Sequence, residues 1–248
     1  MAFITNRAKD GETTLKKRLT ELIGHADQLD MLVGFFYFSG VKVLAEALRD
    51  RPNLKMRVLV GMDAEFAVGQ LVEVIAKGGG DSQEAVQERF YQSMKKIMGS
   101  AAVDTQAFHE RVGIFIDLLK TKRLDIRKTR DPNHAKLYIF GMDETQVVNR
   151  KYWITGSSNF SAPGLSLRNE LNVQIGDFGH EEVQKYFDDL WARAVPLTAT
   201  EEQNKRLIQI LLECSVAAEI TPFEAYFLVL RNYLEHQRTQ LKELQVER

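Results

Sequence analysis

Between residues 29 and 60 the chain reads strand, helix, strand, and this succession constrains the fold more than any other feature. Leu29–Phe38 is an apolar, aromatic run of strand length that follows Gly24 and Asp27. Ser39 is placed to cap a helix over Val41–Arg49, and Pro52 stands beyond its end. Lys55–Val60 (KMRVLV) then alternates as a strand does. Two strands joined through a helix in so short a span form a βαβ unit. That unit predicts an α/β fold around a mostly parallel or mixed sheet.

The rest of the composition sets limits around that core. A chain of 248 residues, 44% of them apolar, can bury a full core in one to two domains. Its single cysteine, Cys214, excludes an internal disulfide and any cysteine-cluster metal site. No apolar run approaches the roughly 20 residues that span a bilayer. The opening MAFITNRAKDGETTLKKR has no signal-peptide core, so the expected location is cytoplasmic. Net charge is −1, so any affinity for a polyanion must come from a local patch.

A helix is expected over 12–28, with Leu15, Leu19, Leu22 and Ile23 on one face. Helical patterns over 64–77, 84–98 and 105–121 predict a helical insertion of about 64–121 between two sheet strands. The Gly78–Gly79–Gly80 run between them lacks the spacing of a phosphate-binding loop and reads as a turn. Strands are expected at Leu124–Lys128, Ala135–Phe140, Tyr152–Thr155 and Leu171–Ile175, and a helix at Glu181–Arg193. No strand signal follows Ile175, and helices are expected over 200–217 and 222–245. The division is therefore an α/β domain over 1–196 and a C-terminal helical appendage over 197–248.

Chemistry-bearing residues gather between Asn133 and Gly176. His134 and Lys136 are two apart on an expected strand and so should leave one face, with Ala135, Leu137 and Ile139 turned to the core. Imidazole can act as nucleophile or proton carrier near neutral pH, and a lysine beside it offers fixed positive charge to a phosphate. On their own the two also fit a solvated strand surface. Gly156–Ser157–Ser158–Asn159 follows the next strand. Such a turn can aim N–H groups, a hydroxyl and an amide at an oxyanion, or can be an ordinary Ser/Asn turn. Glu170 opens an alternating strand whose polar face holds Asn172 and Gln174. Its carboxylate could orient an imidazole, or simply end a strand.

Taken in order, His134-x-Lys136, Gly156–Ser157–Ser158–Asn159 and Glu170 resemble the motif set of the phospholipase D superfamily. The resemblance covers roughly residues 10–195 and implies a mixed β-sheet flanked by helices. The superfamily's motif aspartate is missing, since Gly141 stands at its place. That aspartate is mainly structural in the family, and its loss resembles nuclease-type members. The resemblance implies catalytic roles for His134, Lys136, Asn159 and Glu170. It also implies phosphate contacts from Lys136, Asn159 and one or both of Ser157 and Ser158. No metal and no cofactor is implied. Because only His134 among the five histidines has a lysine two residues on, it further implies a homodimer with a shared site.

The expected substrate is a nucleic acid, DNA before RNA. Residues 120–136 carry a net charge of +5, and Lys122, Arg123, Arg127, Lys128 and Arg130 are the candidate contacts. The expected activity is a metal-independent endonuclease acting through a phosphohistidine. A lipid phosphodiesterase or phosphatidyl transferase, or a non-catalytic DNA-binding or dimerisation module, are the alternatives. The segment TPFEAYFLVLRNYLEHQ resembles the stretch that joins a phospholipase D-like domain to a Swi/Snf-type helicase in bacterial proteins. An N-terminal fragment of a longer protein with a helicase module is therefore expected, and a helical dimerisation element is the competing reading.

Overall fold

The structure is a computed structural model that describes residues 1–6, 14–34, 38–67, 70–74, 81–98, 106–142, 151–161, 163–167 and 169–214, with 227, 230, 233 and 234. Its first half runs β1 (Ala2–Thr5), α1 (Leu15–Ile23), β2 (Ala26–Val33), α2 (Phe38–Val43), α3 (Ala45–Asp50) and β3 (Lys55–Val60). Next come β4 (Asp63–Ala67), β5 (Gln70–Val74), α4 (Gln83–Met98) and α5 (Gln106–Lys120). The second half runs β6 (Leu124–Lys128), β7 (Leu137–Met142), β8 (Tyr152–Gly156) and a π-helical turn at Pro163–Leu167. It closes with β9 (Leu171–Gly176), α6 (His180–Arg193), β10 (Val195–Pro196) and α7 (Glu201–Cys214).

Eight strands form one mixed sheet in the order β1-β9-β8-β7-β2-β3-β6-β10. The centre is parallel: β2 pairs with β3 and β3 with β6. On the other side of β2, strands β7, β8, β9 and β1 succeed one another antiparallel. The expected βαβ unit is thus the heart of the sheet, and the sheet is mixed.

Alternate residues of each central strand enter opposite layers. Leu29, Met31 and Val33 of β2, with Met56, Val58 and Val60 of β3, meet residues of α1, α3, α4, α5 and α7 in the main core. Leu32 and Leu59 turn the other way and pack with Phe187, Trp191 and Ala194 at and just beyond α6. Helix α1 forms because Leu15, Leu19, Leu22 and Ile23 recur at helical spacing and are all buried. Thr14 caps it by accepting from the Lys17 N–H at 3.3 Å. Truncating one of these leucines to alanine would cost about 2–5 kcal/mol.

Several elements differ from expectation. Residues 64–77 were expected as helix, yet β4 and β5 form an antiparallel hairpin with Ala67 opposite Gln70. The run EFAVGQLVEV supports both the helical and the strand period, and a short apolar run alone does not separate them. The remainder of the expected insertion is helical, as α4 and α5. Phe38 opens α2 instead of ending β2, and Ser39 lies inside that helix. Two short strands, β1 and β10, had no sequence signal of their own. Leu197, Leu207 and Leu211 are fully buried in the main core, so α7 packs as part of the α/β body. The helix expected over 222–245 and the Gly78–Gly79–Gly80 run lie outside the described residues, four positions of the former excepted.

Candidate active site

Strand register places every motif at one edge of the sheet. The parallel strands end together, with Val33 opposite Val60 and Val60 opposite Lys128. Antiparallel β7 begins at that same edge, where Leu137 lies opposite both Leu32 and Thr155. Gly156 closes β8 opposite Asn172 near the start of β9. The His134–Lys136 segment, the Gly156–Asn159 turn and Glu170 therefore all emerge at the carboxyl edge of the parallel strands. Open α/β sheets bind their ligands there.

The histidine and the lysine do not share a strand face. β7 begins at Leu137, so both precede it in an extended turn. His134 and Ala135 are exposed, whereas Lys136 is buried. The Lys136 ammonium donates to the His134 carbonyl at 2.7 Å, and the Lys136 carbonyl accepts from Thr155 Oγ1 at 2.8 Å. Nor does one side of β7 face solvent: Leu137 and Ile139 enter the α6 layer, and Tyr138 and Phe140 the main core. The result is an exposed histidine whose backbone carbonyl is held by a buried ammonium.

The Gly-Ser-Ser-Asn turn is built against β9. A Cβ on Gly156 would lie 2.4 Å from the Leu171 carbonyl oxygen, so only glycine permits this approach. Ser157 N–H donates to that carbonyl at 3.1 Å, and the Ser157 hydroxyl donates to the Glu170 carboxylate. Ser158 is fully buried; its Oγ accepts from Asn172 Nδ2 at 2.9 Å, and its carbonyl accepts from Tyr138 OH at 3.1 Å. This takes the Ser158 hydroxyl off the surface and leaves Ser157 at it. Burial, and next the Glu170 charge, raise the Tyr138 phenol well above its usual range. Asn159 is half-buried, and its Oδ1 is shielded from solvent without a hydrogen-bond partner among the described residues.

Asn172 and Gln174 are buried, while Leu171 on the opposite face is exposed. The polar side of β9 is thus the inner one, because Asn172 holds the Ser158 turn and Gln174 accepts from Arg18 Nε at 2.5 Å. The part of Asn172 and Tyr138 in shaping the turn was not seen in sequence. The pairing of β8 with β9 is the information that reveals it.

The five basic candidates are not brought together. Lys122 and Arg123 lie before β6, at the opposite edge of the sheet from His134. Arg123 is spent on the carbonyls of Leu48 and Arg51 at 2.7 and 2.6 Å. Arg127 lies 4.3 Å over the Trp191 ring and donates to its carbonyl at 3.1 Å. Lys128 is buried beside Asp63 at 3.6 Å, and desolvation lowers its pKa. Arg130 is exposed at the site edge, donating to the Arg193 carbonyl at 3.2 Å. A five-residue strand spans roughly 17 Å and alternates its sides, so a run of charge along it does not make a surface patch.

Gly141, at the place of the missing motif aspartate, pairs with Gln28 on β2. The buried acid of that layer is Asp30, 1% exposed, which accepts from Arg57 Nε at 2.7 Å and from Gln184 at 2.9 Å. Among the described residues no group of three or more His, Cys, Asp or Glu side chains could hold a metal ion.

An exposed histidine, a buried lysine, a Ser/Asn turn and a nearby acid meet at the carboxyl edge of the parallel strands of an α/β protein with a mixed sheet. The family model described as "Cardiolipin synthase, PLD-like domain" matches residues 19–191. The chain belongs to that family, within the phospholipase D superfamily. No curated protein matches the sequence.

Among the solved structures similar to it are the following three. The phospholipase D family member Nuc from Salmonella typhimurium shares 13% identity at a TM-score of 0.41, over 79% of this chain and 97% of its own. NucT from Helicobacter pylori shares 10% identity at a TM-score of 0.42, with the same coverages of 79% and 97%. Phosphatidylserine synthase from Haemophilus influenzae Rd KW20 shares 13% identity at a TM-score of 0.49. This chain covers 44% of that longer protein, and 84% of this chain is aligned.

Proposed function

We propose that the protein is a metal-independent phosphodiesterase that cleaves DNA through a phosphohistidine, with a complete site assembled from two copies of the chain. The observation that carries this reading is the convergence of His134, Lys136, Ser157, Asn159 and Glu170 at one sheet edge from three separate segments. In the proposed reaction an imidazole nitrogen of His134 attacks phosphorus and the bond to the leaving oxygen breaks. His134 of a second copy gives that oxygen its proton. Water, deprotonated by the second imidazole, then displaces the first and releases the phosphate end. Lys136 places its positive charge below the phosphoryl group, and Ser157 and Asn159 supply hydrogen-bonding groups to its oxygens. Glu170, held by Ser157, stands beside the turn as the acid of the site.

A single His-x-Lys pair per chain supports the two-copy site, since the reaction needs a histidine on each side of phosphorus. For substrate contacts the structure favours Arg130 over the longer basic run, because it is the exposed cation of that run near His134. The helicase-linked reading of the tail rests on its sequence alone. Phospholipid chemistry is the second reading, because the matching family is described by a lipid-synthesising enzyme. Among the described residues no helix is long and apolar enough to cross a membrane.

The test incubates the protein with single- and double-stranded DNA, and separately with phosphatidylglycerol vesicles, in excess EDTA. The expected result is DNA cleavage that persists in EDTA and disappears in His134→Ala. Cleavage lost in EDTA, or retained by the variant, overturns the mechanism. Turnover of the lipid with DNA left intact overturns the substrate.

A further inference from the structure

His134 lies in an extended turn with no strand to orient it, yet an attacking imidazole must meet phosphorus in line. Building on the reading of His134 as that group, we propose that Asn133 is a positioning residue. It closes a turn across His134 and ties that turn to both sides of the sheet edge. Its Oδ1 accepts from Ala135 N–H at 2.9 Å, which makes His134 the central residue of an Asx turn. Its own N–H donates to the Gly61 carbonyl at 2.9 Å, just past the end of β3. Its Nδ2 donates to the Tyr186 hydroxyl at 3.3 Å, on α6.

The orientation of the amide follows from its partners. An oxygen must face Ala135 N–H, because the reverse orientation would set two donors against each other. Gly61 makes the anchorage possible: a Cβ there would lie 1.8 Å from the Asn133 carbonyl oxygen. The far side of His134 is fixed as well, since its carbonyl accepts from the Lys136 ammonium at 2.7 Å. The backbone of His134 is therefore bracketed from both directions. Removing the Asn133 amide breaks one side of the bracket and leaves Lys136, a proposed phosphate contact, in place. A displacement of about 1 Å at a reacting group can cost roughly 100-fold in rate.

The experiment compares wild type, Asn133→Ala, Asn133→Asp and Tyr186→Phe by DNA cleavage, thermal melting and NMR of the Ala135 amide and His134 imidazole. Asn133→Ala should lower kcat about 10- to 100-fold with KM within about twofold. Its Ala135 amide should exchange faster and its imidazole signal should lose order, with the melting temperature nearly unchanged. Asp keeps the acceptor, so Asn133→Asp should restore most of kcat and the slow amide exchange. Tyr186→Phe loses only the outer tether and should fall between. Asn133→Ala with wild-type kcat and an ordered imidazole overturns the proposal, as does Asn133→Asp impaired as deeply as Asn133→Ala. If the wild type cleaves no phosphodiester, the functional reading fails and the NMR comparison alone decides the positioning role.

Discussion

The Ser157 hydroxyl donates to the Glu170 carboxylate and also accepts from Leu171 N–H at 3.1 Å. One side chain thus joins the end of β8 to the approach of β9 and fixes where the acid sits. Glu170 was expected to orient an imidazole, and its hydrogen bond to the first serine holds it at the turn.

Ser157→Ala is therefore expected to act on rate more than on stability. The residue is exposed, so the lost hydrogen bonds should cost on the order of 1 kcal/mol of folding free energy. Release of Glu170 and loss of the proposed phosphate contact should lower kcat about 10-fold or more, in the range seen when one hydrogen-bond donor is removed from a charge-stabilising site. Steady-state kinetics beside urea unfolding separates the two effects. Undiminished kcat would remove Ser157 from the site.

Asn172 should show the opposite balance at the first level. It is fully buried and holds both Ser158 Oγ and, at 3.4 Å, Ser158 N–H. Asn172→Leu leaves those groups buried without their partner, at about 1–3 kcal/mol each. The urea midpoint should fall accordingly, and activity per folded molecule should fall with the displaced turn. An unchanged midpoint would show that the Ser158 turn holds without β9.

Much of this site is legible in sequence, and the missing part has a physical cause in each case. His134, Lys136, the Gly-Ser-Ser-Asn turn and Glu170 lie near the ends of strands whose patterns predict them, so chain order alone brings them to one edge. Nothing in the polar face of β9 signals that it points inward, because polarity by itself does not reveal a buried partner. Asn172 is inside because its amide donates to buried Ser158, fourteen residues earlier. Positive charge summed over 120–136 reads as a patch because a sum along the chain ignores that Lys122 and Arg130 lie beyond opposite ends of β6. Lys136 reads as a surface charge, yet the chain turns it inward to hold the His134 carbonyl.

His180 gives the fold a pH signature away from the site. It is 8% exposed at the start of α6, and its Nε2 has no hydrogen-bond partner among the described residues. Burial, and next the Lys151 charge, lower its pKa below the ordinary histidine value. The unfolded chain therefore takes up this proton more readily than the folded one. The associated stability is present above the unfolded pKa, near 6.5, and is lost as pH falls through the lowered folded value. Urea midpoints measured from pH 7.5 down to pH 5 should fall more steeply for the wild type than for His180→Gln. Parallel curves would show that His180 protonates equally well in both states.

The proposed two-copy site makes a quantitative prediction for mixtures of wild type with His134→Ala. If each active centre needs one His134 from each of two copies, a mixed dimer carries one imidazole and lacks either the nucleophile or the proton donor. Activity at fixed total protein should then follow the square of the wild-type fraction once subunits have exchanged. An equal mixture should retain about a quarter of full activity, whereas independent subunits would retain about half. Co-refolding the two proteins ensures exchange, and sedimentation at micromolar concentration should give a dimer for both. A linear dependence, or an active monomer, would place the whole reaction within one chain. The second proton-transfer group would then have to be sought among residues other than His134.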